Sequence, residues 1–234
     1  MVIKLERLAN EWGANGYPQI ADRLNADVQE ARRLGAPETF PSVAAPVETP
    51  VEIKRFSEEA LQFLKKKDLL HYPLNRQSLK AQKLAGRPFW YIVAAGEQFL
   101  TLPSMSSQVA INPSPDKFFL PKSNRLTLLQ QQEMIDEYSY KLQQEFGSKE
   151  IKAVMGDAPD YSLIAFLHLD ATKGKERLFG QKYGYNYART KTPTIGSRVA
   201  HVGHFDADHG LSVNNWHAGL GRAYVHAAPL VVPV

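Results

Sequence analysis

The chain has 234 residues, a formal net charge of +4 and no cysteine. It is long enough to bury a substantial core without covalent staples. Disulfides and thiolate metal sites are excluded, and the scattered, mild positive charge argues against a nucleic-acid partner. The first residues, MVIKLERLANEW, mix charged with apolar side chains and offer no signal-peptide core. Nowhere does an apolar run reach the ~20 residues needed to span a bilayer. The expectation is therefore a soluble protein with no cofactor and no direct membrane insertion.

Through residues 1–35, Leu5, Leu8 and Trp12, then Ile20, Leu24, Val28 and Ala31, recur at helical spacing around a Gly-Tyr-Pro break at 16–18. This predicts a small helical N-terminal region. Residues 36–55 carry four prolines within APETFPSVAAPVETPVEI and read as an extended linker. The main domain is then expected over 56–234. Ser57, followed by Glu58 and Glu59, predicts a capped helix to about Leu70, with the Lys65-Lys66-Lys67 run on its solvated face.

From Phe89, FWYIVAA, a turn at Gly96 and QFLTL predict a hairpin. Thr127 and Gln130 have capping-box spacing, and Met134, Ile135, Tyr138, Leu142 and Phe146 repeat helically before Gly147, which predicts a helix over 127–146. IKAVM reads as a strand. A second helix is expected from Asp160 or Tyr161 to Thr172, with Gly174 after its end. His168 lies near its apolar face and is left unassigned, since a lone helical histidine is more often a satisfied packing residue than a ligand. After the aromatic, turn-rich segment LFGQKYGYNYARTKTPT come three strand-like pieces, RVAHVGHF, GLSVNNW and AYVHAAPLVVP. The fold class is α+β.

The decapeptide HVGHFDADHG at 201–210 concentrates three histidines and two aspartates. His204, Asp206, Asp208 and His209 have the outline of the His-x-His-x-Asp-His motif of metallo-β-lactamase-type hydrolases, with Asp206 in place of the second histidine. A metal-dependent hydrolase is thus one alternative. In a regular strand, however, His201 and His204 point to opposite faces, and they could meet on one ion only across a bulge. The segment from Asp206 to Gly210 reads as a hairpin turn, where carboxylates keep ordinary pKa values. No Gly-x-Ser-x-Gly elbow, phosphate-binding Gly-x-x-x-x-Gly-Lys or Gly-x-Gly-x-x-Gly occurs.

The composition of the tail offers another reading. From Thr192 to Val234 there is no Lys, Glu, Gln or Met, types that form about a quarter of the chain before it. His, Asp, Asn, Ser, Tyr, Arg, Gly and Ala stand in their place, all reachable by changing the adenines of an asparagine codon. Regularly placed Val199, Val202, Phe205, Leu211, Val213, Trp216 and Val225 look like a fixed frame.

This pattern resembles the variable region of proteins diversified by retroelements, in which adenines of a template are randomised during copying. The series Gly-Leu-x-Val-x-x-Trp…Tyr-Val-x-Ala-x-Pro is similar to the closing strands of C-type-lectin-like domains of the formylglycine-generating-enzyme type, although the Arg-Gly-Gly-Ser-Trp signature common in that branch is missing. The resemblance covers roughly residues 85–234. It implies a hairpin, two helices and closing antiparallel strands, with a variable region at about 199–228. It also implies a binding face made by His201, His204, Asp206, Asp208, His209, Ser212, Asn214, Asn215, His217, Ala218, Gly219, Leu220, Gly221, Arg222, Tyr224 and His226. The expected partner is a protein or glycan ligand, and no catalysis is expected.

Overall fold

The computed structural model describes residues 52–82, 89–91 and 96–234, with isolated helical positions at Asn10, Asp22, Asn25, Ala26, Gln29, Arg32 and Arg33. The expected N-terminal helical pair and proline-rich linker otherwise lie outside the described residues.

Local chemistry sets the first elements. Helix α1 (Glu58–Lys66) starts where the Ser57 hydroxyl accepts the Ala60 N–H at 3.2 Å, with two carboxylates in its first turn. It buries Ala60 and Leu64 and leaves Lys65, Lys66 and Lys67 exposed. Strand β1 (Leu70–Leu74) follows, then β2 (Phe89–Tyr91), α2 (Gly96–Thr101), β3 (Ser107–Ile111) and α3 (Pro115–Phe118). The long helix α4 (Leu128–Phe146) has the expected capping box. Gln130 N–H bonds the Thr127 hydroxyl, the Thr127 N–H bonds the Gln130 amide oxygen, and Gly147 ends the helix at φ 77°.

Strand β4 (Ile151–Val154) leads to α5 (Ala158–Ala171). This helix begins ahead of the expected Asp160, because the Asp160 carboxylate reaches back to the Asp157 N–H at 2.7 Å and Pro159 fits the first turn. Strands β5 (Tyr187–Pro193), β6 (Arg198–Asp206), β7 (Gly210–His217), β8 (Val225–His226) and β9 (Leu230–Pro233) complete the chain.

Two sheets result. One has the order β1-β3-β9-β4 and the other β2-β7-β6-β5-β8. Among the described residues, the hairpin expected at 89–102 does not form. Strand β2 instead pairs in parallel with β7, Phe89 opposite Leu211, and QFLTL falls largely in α2, which buries Phe99. The last expected strand also divides. Val225 and His226 join β5, whereas Leu230–Pro233 crosses to the other sheet.

Strand β9 lies between β3 and β4, and a core covers each of its faces. Leu230 and Val232 face a core shared with Val109, Ile111, Tyr161 and Phe166, and Val231 faces a second core with Ala60, Leu64, Ile135 and Leu142. Helix α5 packs against strands of both sheets, β1 on one side and β5 and β6 on the other, and is correspondingly apolar around its circumference. Among the described residues, no helix is long and apolar enough to cross a membrane.

Candidate recognition surface and adjoining cleft

The β6–β7 hairpin is where alternation becomes chemistry. Ala200, Val202, Phe205, Leu211 and Val213 enter the core. Across the ladder, His201 stands opposite Asn214, Gly203 opposite Ser212 and Val199 opposite Trp216, which places these six on the outer face. The parity changes once. A bulge at His204, with φ 51°, lies between Gly203 and Phe205 and lets Phe205 join Val202 in the core. The regular-strand expectation that sent His201 and His204 to opposite faces is therefore corrected.

The turn that closes the hairpin is organised by one carboxylate. Asp206 Oδ1 accepts the N–H groups of Asp208 at 2.9 Å and His209 at 2.6 Å. Its Oδ2 lies 3.2 Å from His204 Nε2 and 3.2 Å from His209 Nδ1. Partial burial acts to raise the Asp206 pKa, but the backbone N–H and imidazole of His209 outweigh it and hold the carboxyl below its usual range. Of the proposed metal quartet, His204, Asp206 and His209 meet, whereas Asp208 joins through its backbone. Among the described residues, no group of three or more histidines and carboxylates is arranged to hold a metal ion.

Beyond β7 the chain folds over the sheet. Ala218 N–H bonds Ser197 O at 2.7 Å, and Ala218 O accepts from Leu128 N–H at 2.8 Å. Arg222 O accepts from Arg125 N–H at 2.9 Å. Beneath this loop Arg189 is fully buried. Its guanidinium donates to the carbonyls of His217 at 3.3 Å, Leu126 at 3.2 Å and Leu220 at 3.0 Å. Burial lowers its pKa to about 10, so it remains charged at neutral pH. The loop is thus tied to both the sheet and the start of α4.

On that base stands a stack. The Arg222 guanidinium carbon lies 3.6 Å from the Trp216 ring centroid and 5.0 Å from that of Tyr224, and Arg222 Nε donates to the Tyr224 hydroxyl at 2.6 Å. Tyr224 continues to Tyr187 at 5.8 Å between ring centroids, and Tyr187 meets His201 edge-on at 4.7 Å. Trp216, expected in the buried frame, is half-exposed in this stack, whereas Val199, Val202, Phe205, Leu211, Val213 and Val225 are buried as expected.

The remaining expected face residues separate. Asp208, His209, His217, Gly219, Leu220 and Gly221 are exposed, and His204, Asp206, Asn214, Ala218, Arg222 and Tyr224 are half-buried. His201, Ser212 and Asn215 are only 2–3% exposed, contrary to their expected display. Tyr187 covers the first two, its hydroxyl 3.4 Å from Ser212 Oγ, and Asn215 follows the inward parity of Val213. His226 pairs opposite inward-facing Ala188 and packs on Phe119 at 5.0 Å, away from the stack. Burial lowers its pKa.

Sequence reasoning missed Tyr185, Tyr187 and Arg189. Their spacing of two was the available signal, since it is the strand period leading into β5.

Beside the turn lies a cleft of about 730 Å³, between residues 175–185 and 204–207. Tyr185 stacks on His204 at 4.5 Å and 15°, yet is 72% exposed. Below, buried His168 bonds the Tyr72 hydroxyl at 2.8 Å through Nδ1, and its Nε2 lies 3.8 Å from Glu176. Burial lowers the His168 pKa despite Glu176.

No family model, curated protein or solved structure matches this chain.

Proposed function

We propose that this chain is a ligand-binding protein of the C-type-lectin-like, formylglycine-generating-enzyme type, whose surface within about 199–228 is diversified by a retroelement. Its activity is recognition of a protein or glycan, without catalysis. The observation that carries this reading is the Trp216–Arg222–Tyr224 stack on a loop whose backbone is held from below by Arg189. Tryptophan, tyrosine and arginine supply large contact area and directional hydrogen bonds, and a fixed backbone lowers the entropy lost on binding. The passage of β9 back to β3, with α4 and α5 between them in sequence, also supports this fold assignment.

The test begins with the DNA flanking the gene. A near-copy of codons 192–234, differing where the copy has adenine and lying beside a reverse-transcriptase gene, is the expected finding. In the protein, exposed His209→Ala is expected to change stability by no more than ~0.5–1 kcal/mol, the range of exposed ion pairs, and His204→Ala, half-buried against Tyr185, by about 0.5–1.5 kcal/mol. Stoichiometric zinc uptake abolished by both substitutions, with no template copy, would instead select the metal-dependent hydrolase.

A further inference from the structure

The cleft beside the turn has chemistry of its own, and most of its wall precedes the proposed variable region. Five formal charges line it: Lys175, Arg177 and Lys182 against Glu176 and Asp206. Lys182 pairs with Glu176 at 2.9 Å, and Asp206 is engaged by His204 and His209. Lys175 and Arg177 have no carboxylate within ion-pair distance among the described residues. Arg177 lies over the Phe205 ring at 5.7 Å, and its Nε is enclosed without a hydrogen-bond acceptor. A half-buried guanidinium held against a ring, with no carboxylate partner, offers its terminal Nη donors to an anionic oxygen.

The other groups narrow the anion. One face of the Tyr185 ring lies against His204, and its exposure leaves the opposite face to solvent. Such a face packs against the C–H side of a saturated ring. Glu176 directs Oε2 to both Lys182 and His168, so Oε1 can accept a hydroxyl. With three cations against two carboxylates, both of them paired, the lining suits a single negative charge better than a phosphate dianion. The volume is within the usual range for small-ligand sites.

We infer that this cleft binds the acidic sugar of a glycan, with its carboxylate on Arg177 and Lys175, its ring against Tyr185 and a hydroxyl on Glu176. The site goes beyond the diversified surface, because Lys175, Glu176, Arg177 and Tyr185 lie outside it.

The test titrates the full chain with tetragalacturonate and 3′-sialyllactose, using lactose and AMP as controls and NMR shifts and calorimetry as readouts. At least one acidic sugar is expected to bind, more weakly at higher salt, with lactose silent and AMP weaker. Arg177→Gln and Tyr185→Ala should each weaken binding about tenfold or more. Leu129→Ala, exposed on α4 and outside the cleft's lining, should leave it unchanged. Both variants must retain the wild-type unfolding transition; if Arg177→Gln does not, Lys175→Gln replaces it. Failure of both acidic sugars, equal binding of lactose or stronger binding of AMP overturns the inference. None of those results touches the Trp216–Arg222–Tyr224 surface, which fails separately if a template copy is lacking.

Discussion

Asp160 shows how one buried carboxyl can tie stability to pH. It is 1% exposed, and accepts the N–H groups of Met105 and Asp157, each at 2.7 Å. Burial outweighs these donors and pushes its pKa from 3.8 up to about 6. A carboxyl with a raised folded-state pKa holds its proton more tightly when folded. Its stabilising contribution is therefore complete below about pH 4 and lost as pH rises through about 6, by roughly 2–3 kcal/mol. Urea denaturation across pH 4–7 should show wild type losing this amount relative to Asp160→Asn, whose amide does not titrate. Parallel curves would mean that Asp160 titrates normally. The sequence made Asp160 legible as a residue near a helix start, but its titration depends on the distant segment carrying Met105.

At the scale of elements, Arg189 joins three pieces of chain through one side chain. Arg189→Met should cost ~2–4 kcal/mol, because it leaves carbonyls at Leu126, His217 and Leu220 without this donor. Amide exchange at Leu128, whose N–H bonds Ala218 O, should accelerate with it. Wild-type protection there would show that the loop is held by other means. Local signals made several elements readable: the Ser57 cap, the Thr127–Gln130 box and the turn begun at Asp206 all stand where their chemistry placed them. Nonlocal pairing defeated the same approach at 89–102, where β2 finds its partner more than a hundred residues away. The His204 bulge was unreadable for a related reason. A non-glycine residue at positive φ is set by what packs around it, here Phe205 inward and Tyr185 outside. Half of the candidate surface was thus legible as composition, while its aromatic cover and its arginine support depended on β5.

For the whole molecule, the decisive piece is β9. It supplies the hydrogen-bonding partner of β4 over residues 151–154 and contributes to both cores. A chain stopped before Leu230 should lose near-ultraviolet circular dichroism and bind ANS while retaining helical signal, as α4 carries its own caps. A native, cooperative unfolding transition in that chain would overturn the role given to β9. The α+β class was legible because two helical periods in mid-chain are followed by a run of strand-like pieces, but the order β1-β3-β9-β4 was not, because β9 reads from sequence as the continuation of β8.

Gly203 and Gly221 give the proposed diversification a limit of its own. A β-carbon at Gly203 would lie 2.4 Å from the Asn186 carbonyl oxygen, and one at Gly221 would lie 2.0 Å from that of Arg125. Both obstacles are backbone, which cannot swing aside as a flexible side chain could. Sibling genes in a natural population should therefore be polymorphic at Asp208, His217 and Arg222 yet monomorphic at these two glycines. Under that proposal the mutagenic copying would be blind to the boundary, and the quality control of folding would draw it, removing a fixed share of each generation's new variants.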